Sequence, residues 1–283
     1  MAKSAPLIDR RGALPGAAAL ACGLGLVTVG AAVFALPAVH DRDAAMLHGF
    51  TGLYGARVES ELRITARLVD PVPYALIGTA CIGVALVRRR TARAAAIAVV
   101  LVGTGLTTLT LKHILGQPRY ADWLFGDSMQ HGWPSGHTTA AMTLALCAVV
   151  VAPPAWRAAT ALLACGFTIS IAYATLALVW HYPSDVVGGL LVAGLWVSMA
   201  LAVLARLEVA ERRVGRRPPL LGWLVAAAGV GALVAGALVG VASGRVPLDA
   251  ADRAMTVGGA VVIAALAAAL LVTTVVAASE ADG

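Results

Sequence analysis

Three polar stretches interrupt an otherwise apolar chain: Lys112-His113-Ile114-Leu115-Gly116-Gln117-Pro118-Arg119, Pro134-Ser135-Gly136-His137 and His181-Tyr182-Pro183-Ser184-Asp185. Together they supply two cations, a serine–glycine turn, two histidines and a carboxylate. Arginine offers a planar fork that matches phosphate oxygens, and lysine adds a point charge. Ser135 ahead of an apolar run marks a helix start. Backbone N–H groups at such a start form an anion site, which Gly136 lets a ligand approach closely. His137 sits at the rim of that site, able to donate a proton. Pro183 suits the first turn of the next helix, and Asp185 then lies where the helix dipole favours a carboxylate. From there Asp185 can accept a hydrogen bond from one ring nitrogen of His181 and leave the other to attack, the orienting logic of a catalytic triad. The set suits attack on a phosphate ester. Each piece alone has a plainer reading: Lys112 and Arg119 snorkelling to headgroups, Ser135 as a cap, Asp185 as a dipole partner. His40, His48, His113 and His131 lack such neighbours and read as interfacial or loop residues.

The elements that must position these groups are membrane helices. Of 283 residues, 60% are hydrophobic and 13% charged, and mean hydropathy is +0.85; a soluble domain has about half and about a quarter. The apolar mass is mostly Ala, Val, Leu and Gly, which suits closely packed transmembrane helices. The net charge of +6 is not a nucleic-acid signal, because the arginines fall in short runs between apolar segments, where they set topology. Cys22, Cys81, Cys147 and Cys165 lie in apolar segments without metal-ligand or C-x-x-C spacing and read as packing residues. Lys3, Arg10 and Arg11 precede an apolar stretch over residues 13–39, too long for a signal-peptide core, so it reads as a retained first span.

Eight segments reach spanning length: 14–37, 71–87, 94–114, 138–153, 158–180, 184–205, 220–241 and 256–278. Segments 71–87 and 138–153 are short, and the mixed stretch 38–70 suits an amphipathic helix lying in the interface. The expected fold is all-α, a polytopic transmembrane bundle. It divides into an N-terminal span with an outer interfacial segment (1–69), a core (70–205), and a basic linker with two C-terminal spans (206–283). With both termini in the cytoplasm, the arginine clusters 88–93 and 206–217 lie inside. All three polar stretches then fall on the outer side, as one composite site.

At these residues the chain resembles the type 2 phosphatidic acid phosphatase superfamily of membrane lipid phosphatases, whose pattern is K-x6-R-P, P-S-G-H and S-R-x5-H-x3-D. Lys112-x6-Arg119, Pro134-Ser135-Gly136-His137 and His181-x3-Asp185 match it in order and spacing, over roughly residues 70–205. Tyr120 stands where the family has proline, and Ala174-Thr175 where it has Ser-Arg. The last two spans exceed the family's six-span core.

The resemblance implies metal-independent hydrolysis through a phosphohistidine, with no cofactor. Lys112, Arg119 and the amides near Ser135 and Gly136 would hold the phosphoryl group, with Thr175 offering a hydroxyl. His181 would attack, oriented by Asp185, and His137 would protonate the leaving oxygen. A phosphate shared by His137 and His181 requires the two within about 10 Å. The implied substrate is an outer-leaflet lipid phosphate or diphosphate of polyprenyl (such as undecaprenyl diphosphate), phosphatidic acid or phosphatidylglycerol phosphate type. The composition suggests a bacterial chain of high GC content. Losing a charge-assisted donor at Thr175 could cost several kcal/mol in the transition state. Either another cation substitutes, with Arg63 and Arg67 as candidates, or the enzyme is slow, or the chain binds lipid phosphate without turnover. The same residues would also serve a lipid phosphotransferase, in which a second lipid hydroxyl replaces water; a transporter would show paired broken helices in corresponding halves, which the sequence does not.

Overall fold

The computed structural model describes residues 12–51, 58–115, 132–208 and 250–282. Among these there are nine α-helices and no strand: α1 (Ala13–Ala35), α2 (Pro37–Thr51), α3 (Glu59–Arg67), α4 (Pro71–Val87), α5 (Thr91–Leu115), α6 (Gly136–Val151), α7 (Arg157–Ala177), α8 (Pro183–Glu208) and α9 (Ala250–Asp282). Five are long and apolar enough to cross a membrane, and the pair α3 and α4, bent by 46°, makes a sixth when taken as one broken span. The expected span 220–241 lies outside the described residues.

The hydrophobic pattern sorts the helices into inner and outer. α6 and α8 are inner: Met142, Leu146, Val149, Val186, Leu190 and Val192 are fully buried. α1, α5, α6 and α9 all pack on α8, and α7 on α6. α1, α4 and α5 are outer, and present Leu20, Leu24, Val27, Leu76 and Leu109 at 60–70% exposure. An apolar belt of that extent is solvated by acyl chains rather than water. α6 has 16 residues. At 1.5 Å per residue it is about 24 Å long, short of the roughly 30 Å of hydrocarbon in a bilayer. Its burial removes the need to span alone, and its N-terminus is recessed within the bundle.

The stretch expected to hold one interfacial helix contains two, and they behave differently. α3 is amphipathic and lays Ala66 against Ala174 of α7 and Leu178 just past its end. α2 does not lie on the surface: its Leu47 and Phe50 are buried, and it packs on α7, α8 and α9. Ala44, Leu47 and Phe50 of α2 are thus core residues of the bundle, while Ile64 and Leu68, in and just after α3, stay exposed as an interfacial helix requires.

Arginines close the end of the bundle far from Lys112. Arg88 Nη1 donates to the Val151 carbonyl at the end of α6 (2.6 Å). The buried Arg157, at the start of α7, donates from Nη1 to the Ala278 carbonyl (2.9 Å) and Ser279 Oγ (3.2 Å) near the end of α9. A cation is favoured at carbonyls left over at a helix C-terminus. Because these bonds are charge-assisted and dry, Arg157→Ala should cost about 1.5–3 kcal/mol. The expected result is a clearly lowered unfolding midpoint in detergent with helicity retained.

Candidate active site

The site is built where two helices begin and two end. α6 starts at Ser135, whose Oγ caps it by accepting the Thr138 N–H (3.3 Å). The residue expected to start the helix therefore does so, and its hydroxyl still has a proton to donate. α5 ends close by: a Cβ at Gly136 would stand 3.7 Å from Lys112 Nζ. The lysine thus lies against the first turn of α6.

α7 ends in a reversal that aims the next residues inward. The Val179 N–H donates to the Leu176 carbonyl (3.0 Å) and the Trp180 N–H to the Thr175 carbonyl (2.9 Å), the paired bonds of a Schellman motif. The left-handed position of that motif, normally glycine, is held by Val179 at φ 57°. A β-branched residue there is strained by roughly 1–3 kcal/mol. The reversal delivers Trp180 and His181.

His181 is fully buried, with Nδ1 3.2 Å from Asp185 Oδ2. Since a carboxylate can only accept, Nδ1 carries the proton and Nε2 is left with a lone pair. Asp185 Oδ2 also accepts the Tyr182 N–H (2.9 Å), which fixes the carboxylate as well as the ring. Asp185 is the third residue of α8, and this bond back to Tyr182 is half of a capping box.

The His137 and His181 rings are 6.5 Å apart, well inside the limit for sharing one phosphate. His137 Nε2 is 3.7 Å from Asp70 Oδ1, and its ring is 5.4 Å from that of Trp180. Asp70, Lys112, Gly136 and His137 line one cavity of about 450 Å³, whose other walls come from α4, α5 and α6, including Tyr74 and Thr108. His181, fully buried, is not among the residues that line it. Among the described residues, no three His, Cys, Asp or Glu side chains gather where they could hold a metal ion.

Thr175 does not line the cavity. It is fully buried, and its hydroxyl donates to the Ala172 carbonyl of its own helix (2.9 Å). Arg63 Cζ instead stands 5.9 Å from the Trp180 ring centroid, while its side chain pairs with Glu59 (2.8 Å). Arg119 and His131 lie outside the described residues.

Residues without a motif complete the geometry. The two polar turns are stitched by backbone: the Ser135 N–H donates to the Asp185 carbonyl (2.9 Å), and Trp133 Nε1 donates to the Ser184 carbonyl (3.3 Å). This contact needs glycine in α8. A Cβ at Gly189 would lie 2.7 Å from the Ser135 carbonyl oxygen, and one at Gly188 would lie 2.8 Å from Trp133 Nε1. Asp70 had a sequence signal, since Asp-Pro marks a helix start on the side of the polar stretches. Trp133, Trp180 and the glycine pair carried none.

Residues 93–208 match the family model of the PAP2 superfamily. This is the PAP2-like segment of the chain. It begins near the start of α5 and stops with the end of α8, so it holds Lys112, Pro134-Ser135-Gly136-His137 and His181-x3-Asp185 and leaves out α1–α4 and α9. The structure is similar to the crystal structure described as the first transmembrane PAP2 type phosphatidylglycerolphosphate phosphatase from Bacillus subtilis. The TM-score is 0.50 at 18% identity, covering 70% of this chain and 98% of that one. Comparison with curated proteins gives no match. At that identity the likeness is one of fold, and the PAP2 segment here sits in a multi-pass membrane helix bundle.

The glycine contact offers a test of how tightly the PAP2 segment holds its two turns. Gly189→Ala pushes a methyl into backbone, which cannot swing aside, so α6 and α8 must separate locally. Phosphate release should fall at least about tenfold, the effect of a small misplacement of reacting groups. Yield and helicity in detergent should be retained.

Proposed function

We propose that the chain is a membrane phosphatase that moves the phosphoryl group of a lipid phosphate or diphosphate onto His181 and then to water. The observation that carries this reading is the oriented nucleophile beside an acid. His181 Nδ1 is held by Asp185 at 3.2 Å, and a second histidine ring lies 6.5 Å from the first. The PAP2 family-model match of residues 93–208 and the likeness of fold to a PAP2 type phosphatase support the same class.

In this reading His181 Nε2 attacks phosphorus in line while the bond to the leaving oxygen breaks. His137, with Asp70 beside it, gives that oxygen its proton. Water then attacks the phosphohistidine, and His137 takes the proton back. Lys112, Arg119 and the amides of Ser135 and Gly136 balance the charge spread over the transferring group. No metal or cofactor is needed, because the charge is met by these donors. The lipid headgroup enters the cavity lined by Lys112 and His137, while the tails stay among the exposed leucines of α4 and α5. The site faces outward in this reading, supported by Arg88, Arg89, Arg90, Arg93 and Arg206 at the other end of the bundle. Arg63, beyond Trp180, supplies the third cation at the mouth of the site in place of position 175.

Purified protein should release phosphate from at least one of a panel of polyprenyl diphosphate, phosphatidic acid and phosphatidylglycerol phosphate. His181→Ala should abolish release, by about a thousandfold or more. Quenched wild type should carry an acid-labile, alkali-stable phosphoryl group that His181→Ala lacks. Binding without release on every substrate would instead favour a silent lipid-phosphate binder.

The two candidate positions for the third donor separate cleanly. Thr175→Ala should leave kcat/KM within about threefold of wild type, as its hydroxyl is turned into its own helix. Arg63→Ala should lower kcat/KM about tenfold, which corresponds to about 1.4 kcal/mol, and Arg63→Lys should recover part of it. Equal losses at both positions would refute this assignment.

A further inference from the structure

The first turn of α8 lacks a cap of its own. Its N-cap position is Tyr182, as the Asp185 N–H (2.9 Å) and Val186 N–H (3.3 Å) both return to the Tyr182 carbonyl. A phenol is not among the short oxygens that can reach back to the orphan amides of a first turn. Asp185, the one carboxylate in that turn, is already committed to the Tyr182 N–H and to His181 Nδ1. The Ser184 amide is met from elsewhere. Asp43 of α2 accepts the Ser184 N–H at Oδ1 (3.0 Å) and the Ser184 hydroxyl at Oδ2 (2.5 Å).

We infer that Asp43 is a positioning residue for the nucleophile: it caps α8 from a distant helix and so holds the His181-to-Asp185 turn in its reactive geometry. Asp43 is only 3% exposed, and a carboxylate is buried at a cost that charge-assisted hydrogen bonds must offset. The grip point lies between nucleophile and orienter. Asp43 holds the Ser184 peptide from one side. Trp133, on its carbonyl, and Ser135, on the next one, hold it from the other. α2 touches the turn a second time where the His40 ring lies 5.6 Å from that of Tyr182. None of α2 lies within residues 93–208, so the support comes from outside the PAP2 segment. A helix of 26 residues with a buried apolar face forms without this cap; the turn's placement does not.

The inference rests on the phosphohistidine reading, so its test has one readout that needs turnover and one that does not. Lipid phosphate hydrolysis is measured on the full chain in mixed micelles for Asp43→Ala, Asp43→Asn and Ser184→Ala. Asp43→Ala should lower kcat at least about tenfold with KM within about twofold, because Lys112 and the cavity are untouched. Asp43→Asn, which keeps an acceptor for the Ser184 N–H, should recover to within about threefold. Ser184→Ala should be intermediate. The second readout is the downfield Nδ1 proton of His181 in 15N-histidine-labelled protein, assigned by its loss in His181→Gln. It should move or broaden in Asp43→Ala and stay in place in Asp43→Asn.

Unchanged kcat in Asp43→Ala, or a rise in KM alone, overturns the inference while leaving the phosphatase reading intact. Should Asp43→Ala not fold, unchanged kcat together with an unmoved proton in Ser184→Ala overturns it equally. Should wild type release no phosphate from any lipid, the phosphatase reading falls. The proton signal alone then decides whether Asp43 holds the turn.

Discussion

Two helix N-termini, those of α6 and α8, meet at one point inside an apolar bundle, and the rest of the architecture follows from that meeting. Each N-terminus carries about half a positive charge and several unpaired amides. Two such ends side by side, with Lys112 added, are unfavourable unless negative charge is brought to them. The chain does this with carboxylates placed at fixed angles: Asp185 inside α8, Asp43 from α2, and Asp70 beside His137 at the start of α4. Toward the cavity, Lys112 and the first turn of α6 lie together, with Asp70 on the wall beside His137. In the proposed reading, that face is what receives the phosphate.

The same meeting dictates the packing. Backbone-to-backbone contact between the α6 start and α8 is possible only because positions 188 and 189 lack a Cβ. Once the helices are that close, the Ser135 amide reaches the Asp185 carbonyl, and each polar turn becomes part of the other's frame. α6 stays short because its start is recessed. A recessed start, in turn, puts a polar site below the bundle surface, with exposed leucines around it and a headgroup-sized cavity leading in.

The helices were largely legible in the sequence, because spanning segments follow from length and hydropathy alone. The exception is informative. Residues 38–70 have the mixed pattern of an interfacial helix. Leu47 and Phe50 of α2 are nonetheless buried in the bundle, since a polar residue such as Asp43 becomes tolerable in the interior once Ser184 answers it. Local pattern could not reveal that partner 141 residues away. Site residues with a motif were legible by spacing, as His181 and Asp185 illustrate, four apart and held together by a single turn. Trp133 and Trp180 were not, because an aromatic beside an apolar span has no pattern that separates packing from positioning. Val179 was invisible for a related reason: its left-handed conformation is imposed by the reversal, against its own preference.

In the proposed reading, the departure at Thr175 and the cation on α3 belong to one arrangement. An arginine at position 175 would need a route to the cavity from a fully buried point, with its stem lying along the end of α7. That surface is occupied: Ala66 of α3 is completely buried against Ala174 and Leu178. A small residue at 174 is what lets α3 approach α7 so closely. The approach carries Arg63 to the Trp180 ring, next to His137. In the proposed reading the positive charge sits not at a buried helix end but on an amphipathic helix whose other face meets water, where a guanidinium is far less costly to keep. The exchange gives up a rigid donor for one tethered to Glu59 and free to reorient. The expected consequence is a site that binds headgroups less tightly through this cation while leaving the geometry around His181 to α2, α6 and α8.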